Sequence, residues 1–550
     1  MNKIRMRILL IVLSLCLTIS FVSCDSFSGP VDIDHTGNPI FSYCGKDMVV
    51  QDVNELVSEI EAAIKDASEE EVYALTNAFF SQLYQIQNQY LAAVMEYNIH
   101  FYEEEETTWF DNYMHMTSLY NEWNAASYTL YALFADTRYE DVFMAGISEQ
   151  EREDLVADSD AYDEEYLSLM ASYEDLVNQY YEIDLQSEGA TDKVAEIYAS
   201  VASVNNKIAA KFGFNDYLTY AYDSIYAREY TPEDTEQLVN QAITFLIPIL
   251  EENKPVNDLT MNTRLYRELE AFYYDSALDG DGKEELDSYF ESLGGELNRA
   301  YKLFHQYDLY YAASDPYLAY GSAYTDYSAL HSLPICYFGP VYQSRMTVIH
   351  ELGHFMRAYL TQNGYQSYDM AELNSQANEV LYLAFLKSCS DEEFYRYVLT
   401  EELRTKVAYV VEDLLINSFE YAVYSAAEKT AITGEDVLRL FMETCERFGG
   451  YDYLCEILGY DVNLYWQYMV ITQPGYYVSY GVSALSALEL FVIAEEDYQK
   501  AVSIYHLIET DSAESLSDLL QSAGLSDPFD AVTFGNIAGA VKSILWKNSW

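Results

Sequence analysis

The sequence predicts a mainly α fold, and three observations carry that expectation. Only 10 Pro and 23 Gly interrupt 550 residues, so long stretches are free of helix breakers. From Val53 onward apolar residues recur at helical spacing, as in Leu75, Phe79, Leu83, Ile86 and Tyr90, or Tyr166, Leu169, Tyr173, Leu176 and Tyr180, which marks amphipathic helices. Half of the residues are hydrophobic and 15% are aromatic, with 55 Tyr. That is ample material to bury, and it excludes both a small stapled scaffold and disorder over most of the length. A chain this long is expected to form two lobes or one large multilayer helical body.

Charge narrows the partners. Lys and Arg number 29 against 90 Asp and Glu, a formal charge of −61. Such a field repels a phosphate backbone, so nucleic acid is not an expected partner.

The first residues set the compartment. Lys3, Arg5 and Arg7 precede an apolar run from Ile8 to Val22, which has the length of a signal-peptide core and not of a membrane span. The run ends in Phe21-Val22-Ser23-Cys24, which resembles a bacterial lipoprotein processing site with Cys24 as the lipidated residue. Residues 1–23 are therefore expected to be a removed signal peptide and 24–48 a tether. Loss of three basic residues and no acidic one takes the net charge from −61 to −64. Membrane attachment is thus expected only through the lipid anchor, outside the cytoplasm, with plain secretion as the alternative. Cys44, Cys336, Cys389, Cys445 and Cys455 remain, with no C-x-x-C pair among them, and read as mostly buried small apolar residues.

Two helical blocks follow, 49–210 and 211–550. The second opens near Lys211, where Tyr230-Thr231-Pro232-Glu233-Asp234 reads as a helix start with Thr231 as N-cap and Pro232 at the first position. Ser332 to Phe338, Ser-Leu-Pro-Ile-Cys-Tyr-Phe, is the best strand candidate in this block.

The chemistry lies just beyond it. His350-Glu351-Leu352-Gly353-His354 is an H-E-x-x-H motif inside a helical pattern. A spacing of four puts both imidazoles on one helix face, where two nitrogens reach one zinc ion. Glu351 beside them is placed to accept a proton from metal-activated water and return it to a leaving amine. With 8 His in the chain, a chance match is expected roughly 0.01 times. Two imidazoles leave the ligand set incomplete. A second helix, with Met370, Leu373, Ala377, Val380, Leu381 and Ala384 on its buried face, can double back across Asn363-Gly364. It presents Glu372 as the third ligand and Glu379 as a partner that orients an imidazole; spacing alone also allows Glu379 as the ligand.

These residues, His350-Glu351-Leu352-Gly353-His354 followed by Met370-Ala371-Glu372-Leu373-Asn374-Ser375, resemble the oligoendopeptidase F and thimet oligopeptidase family of zinc peptidases. Lys211 to Leu218 and the Tyr230 to Asp234 helix start are similar to that family's opening catalytic segment, and Pro334 to Phe338 to its edge strand that pairs with substrate. The resemblance covers roughly residues 205–500. It implies a two-lobed helical body around a deep substrate channel, a small β element beside the active-site helix, and 211–550 as the catalytic lobe. It also implies one zinc ion held by His350, His354 and Glu372, with short peptides as substrates. In Gln473-Pro474-Gly475-Tyr476-Tyr477-Val478-Ser479-Tyr480, it implies Tyr477 and Tyr480 as donors to the oxyanion of the tetrahedral intermediate, with Tyr476 as the alternative to Tyr477. The family usually carries a His shortly before these tyrosines, whereas residues 468–473 contain none. Two readings follow: a lipid-anchored zinc oligoendopeptidase at the outer cell surface, with dipeptide trimming as a variant, or a catalytically weak peptide-binding surface lipoprotein.

Overall fold

The computed structural model describes residues 48–100, 108–135, 137–143, 161–254, 263–313, 322–328, 333–361, 367–513 and 515–548. The signal segment, Cys24, nearly all of the tether and the Asn363-Gly364 connection lie outside the described residues. The described chain is helical nearly throughout, with one three-stranded sheet among the described residues. It divides into two compact units: Met1–Leu167 with Asn298–Gln343 and Gln362–Tyr365, and Ser168–Leu297 with Ser344–Thr361 and Gln366–Trp550.

The first unit is built on α1 (Val53–Asp66), α2 (Glu69–Ile99) and α3 (Thr108–Phe134). Asp52 caps α1 by accepting from the Asn54 and Glu55 amides at 3.0 Å. Ser68 caps α2 ahead of three glutamates that complement the helix dipole. The α2 stripe read from the sequence faces the core: Phe79, Leu83 and Ile86 are buried, Leu75 and Tyr90 pack on their rim, and Phe79 stacks on Trp123 with centroids 5.0 Å apart. Each such burial stabilises the unit by about 1.5–3 kcal/mol.

The sheet of the same unit runs β1 (Tyr310–Ala312), β3 (Leu333–Phe338), β2 (Ala323–Ser328), with β3 parallel to β1 and antiparallel to β2. The strand candidate is therefore central, and the expectation that Pro334 to Phe338 is an edge strand is corrected. Its inner position follows from its apolar run, since Ile335 to Phe338 are all buried and Ile335 packs on Ala92 and Met95 of α2. Pro334 is tolerated because β1 pairs only with Cys336 to Phe338, so no β1 carbonyl stands opposite its missing N–H.

The second unit contains α4 (Ala190–Lys211), α5 (Arg345–Thr361), α6 (Tyr368–Cys389), α7 (Glu392–Lys429), α8 (Val478–Glu496) and α9 (Tyr498–Thr510). Residues 210 and 211, where the sequence suggested a division, both fall inside this unit at the end of α4. Thr231 and Asp234 exchange reciprocal cap bonds of 2.8 and 3.3 Å, and the regular helix Thr235–Gln241 starts one turn later. Helix α8 is long and apolar enough to cross a membrane, but 72% of its apolar window is buried inside the protein. It is the core helix on which α6 and α7 pack. Among the described cysteines Cys336 and Cys445 are buried, Cys455 is half-buried and Cys389 is exposed, all as free thiols.

Candidate metal centre

The centre is made where α5 and α6 touch. Gly353 carries no side chain at the crossing. A Cβ there would stand 2.5 Å from the Ser375 Cα and 2.8 Å from the Asn374 carbonyl oxygen, so only glycine lets the two backbones meet. Asn378 of α6 fastens the pair by donating to the Ile349 carbonyl at 2.8 Å. Ser367 starts α6 by capping the Met370 amide at 3.3 Å, and Glu372 lies on the next turn, 2% exposed.

The close approach brings three donors together. His350 Nε2 lies 3.2 Å from His354 Nε2 and 3.5 Å from Glu372 Oε2, and His354 Nε2 lies 3.9 Å from that oxygen. The smallest sphere through these three atoms has a radius of about 2.1 Å, set by those separations, and that is the bond length of a nitrogen- or oxygen-ligated first-row divalent ion. His350, His354 and Glu372 thus form a donor set that fits one metal ion. Glu379 is on the other side of the ring: its Oε1 lies 2.7 Å from His350 Nδ1, and its Oε2 2.7 Å from Lys406 Nζ. Of the two acids that spacing allowed, Glu372 faces the converging nitrogens and Glu379 orients an imidazole.

Electrostatics prepares the donors. Burial alone lowers the His350 imidazole, but the hydrogen bond and charge of Glu379, with the charges of Glu372 and Glu351, outweigh it and push it up to about 9. His354 goes the other way, held well below the usual histidine range by burial and the neighbouring His350 charge. Burial raises Glu372, opposed by the His350 charge and the hydroxyls of Tyr476 and Tyr480. For Glu379 burial is outweighed by the charge of Lys406 and the bond to His350, so it stays below the usual carboxylate range.

The tyrosine loop closes the site. Tyr476 donates to Glu372 Oε1 at 2.5 Å, and its hydroxyl lies 3.2 Å from that of Tyr480. The Tyr480 ring lies over His350 with centroids 6.2 Å apart. Tyr477 packs its ring on Tyr476 and Tyr480 at 5.3 and 6.0 Å. Of the three tyrosines weighed from sequence, Tyr476 and Tyr480 are the two whose hydroxyls reach Glu372. Arg228 sets the loop in place. It donates to the carbonyls of Gly475 at 2.7 Å and Tyr476 at 3.0 Å, to Ser479 Oγ at 2.7 Å, and pairs with Asp369 at 3.3 Å. Glu420 accepts from the Gly475 amide at 2.8 Å, and Tyr226 donates to the Pro474 carbonyl at 2.9 Å. Just before these tyrosines, where the expected His is missing, Tyr173 donates to the Thr472 carbonyl at 2.8 Å and lies 3.1 Å from that of Ile471, and Gln473 is exposed.

Residues 341–502 match the model of peptidase family M3. Over that stretch the chain is similar to peptidase family M3. The matched stretch holds His350, Glu351, His354, Glu372 and the tyrosine loop, and the match supports a metallopeptidase. No curated protein sequence matches it. Solved structures do. A Bacillus anthracis str. Ames protein taken to be an oligoendopeptidase F aligns over 93% of this chain and 99% of its own at 14% identity, with a TM-score of 0.67. PZ peptidase A with inhibitor 2 aligns over 91% and 99% at 14% identity and a TM-score of 0.66. Oligoendopeptidase-F from Enterococcus faecium aligns over 90% and 97% at 13% identity and a TM-score of 0.50. At such identities these likenesses establish the fold, which is that of oligoendopeptidase F.

Arg228, Gln376 and Lys406 were not singled out from sequence. A signal existed for Lys406, a basic residue in a strongly acidic chain, spaced four, three and four along the apolar stripe Leu399, Leu403, Lys406, Val410. Arg228 had only its place beside the Tyr230 helix start.

Proposed function

We propose that this protein is a zinc-dependent oligoendopeptidase that hydrolyses peptide bonds in short peptides. The convergence of His350, His354 and Glu372 on one point, with donor separations of 3.2 to 3.9 Å, carries the reading, since a protein that only bound peptides has no use for it. Zinc held there supplies Lewis acidity to the scissile carbonyl and to water. Glu351, 4% exposed and next to the first ligand, takes the proton of the attacking water and delivers it to the departing nitrogen. The Tyr480 hydroxyl, with Tyr476 or Tyr477, donates to the developing oxyanion. Glu379 keeps His350 in the tautomer that offers Nε2.

The location at the outer surface rests on residues 3–24, with Cys24 as the lipid-bearing residue. Cys24→Ala releasing the protein from membranes supports it; unchanged membrane association overturns it. For the chemistry, the purified mature chain is incubated with quenched peptides of about five to fifteen residues, with and without chelator, beside Glu351→Gln. Cleavage abolished by chelator and by the substitution is expected. Peptide binding without cleavage by the zinc-loaded wild type would instead favour the binding lipoprotein, the reading motivated by the missing His before Tyr476.

A further inference from the structure

We propose that Lys406 is a positioning residue that serves two parts of the site at once, holding Glu379 against the first histidine ligand and Gln376 against the backbone at Tyr480. This rests on the zinc reading above. Lys406 stands on α7, on a stripe otherwise apolar, and is 3% exposed. A solvated ammonium in such a place is costly to bury unless its donors are used, and they are. Nζ lies 2.7 Å from Glu379 Oε2 and donates to Gln376 Oε1 at 3.3 Å. Each acceptor has a second engagement. The other oxygen of Glu379 meets His350 Nδ1 at 2.7 Å. The amide of Gln376 donates to the Tyr480 carbonyl at 3.1 Å and to Ser483 Oγ at 2.9 Å.

A lysine that gripped only Glu379 would be an ion pair behind a ligand. The bond to Gln376 ties the same ammonium to the first turn of α8, from which Tyr480 projects. One cation thus fixes the ring that holds the metal and the backbone that aims the hydroxyl. Lys406 is the cation that meets Glu379 at 2.7 Å, and two further acids of α7 lie near it: burial pushes Glu402 up to about 7 and holds Asp413 well above the carboxylate range.

The test measures the zinc dissociation constant by competition with a chromophoric chelator for wild type, Lys406→Met, Glu379→Gln and their double variant, with thermal melts of each metal-free form. Lys406→Met is expected to weaken zinc binding by roughly 10- to 100-fold, the loss typical when a partner behind a ligand is removed. The double variant is expected to bind no more weakly than the weaker single one, because the lysine acts through Glu379. When zinc is saturating, Lys406→Met lowers kcat with KM within about twofold. Gln376→Leu reproduces that kcat loss without the loss of zinc affinity, a split that simple destabilisation does not produce. Should Lys406→Met lose its cooperative melt, Lys406→Gln carries the same measurements. A wild type that binds no zinc overturns the zinc reading and this inference together. A wild type that binds zinc, beside a Lys406→Met that binds it equally tightly or adds fully to Glu379→Gln, overturns the inference alone.

Discussion

At the scale of single residues, the hydroxyls around Glu372 divide the work. Both Tyr476 and Tyr480 bring their hydroxyls to Glu372, and the bond from Tyr476 is 2.5 Å long. Tyr476→Phe, which loses the 2.5 Å bond to Glu372, is therefore expected to weaken zinc binding more than Tyr480→Phe, whereas Tyr480→Phe is expected to lower kcat by roughly 10²- to 10³-fold, the usual loss of one oxyanion donor. Zinc titration and steady-state kinetics on the two variants check this, and equal zinc loss in both would refute the division. His350, Glu351 and His354 were legible in the sequence because their spacing alone defines a helix face. Glu372 was legible through a second pattern nearby. Lys406 and Arg228 were not, because their meaning lies in partners far along the chain, Glu379 and Gln376 for one and the 475–479 loop for the other. No local pattern encodes such pairings. The choice between Tyr476 and Tyr477 depended on loop geometry that adjacent identical residues conceal.

At the scale of elements, the crossing of α5 and α6 is the determining feature, and Gly353 is its weakest point. A methyl at 2.5 Å from the Ser375 Cα cannot be absorbed by a side-chain rotation, so the helices must part. Gly353→Ala is expected to cost about 1–3 kcal/mol of stability, as overpacking does. It should weaken zinc binding by more than tenfold, because the imidazoles move away from Glu372. Melting of the metal-free protein and chelator competition measure both, and an unaltered zinc affinity would show that the crossing does not set the donor geometry. Helix existence was legible from the apolar stripes, as Phe79, Leu83 and Ile86 illustrate. The role of β3 was not: its apolar run marked a strand, but its central position depends on β1 and β2, which carry little apolar signal of their own.

At the scale of the whole molecule, a chain with a net charge of −61 also buries carboxyls that keep their protons. Burial pushes Glu420 up to about 8 against the pull of the Gly475 amide and Arg228, and pushes Glu509 up to about 8 against Arg357 and Tyr505. In the unfolded chain both ionise from an ordinary value of 4.5. Between 4.5 and 8 the folded state therefore holds protons that the unfolded state has released, and stability falls as pH rises through that window, by up to about 1.4 kcal/mol per pH unit for each group. Self-repulsion of the acidic surface acts in the same direction. The metal-free protein is expected to melt at a higher temperature at pH 5.5 than at pH 8, and Glu509→Gln should flatten that slope. A melting temperature that rises between pH 5.5 and 8 would contradict this. The division of the chain has a last consequence, for synthesis. The first unit begins with helices made early and is completed by strands that end at Phe338, after some 130 residues of the second unit, Ser168–Leu297. During translation the early helices must wait, apolar faces incomplete, until the ribosome has passed that point. A chaperone that shelters α2 in the interval would serve this protein more than one that acts after release.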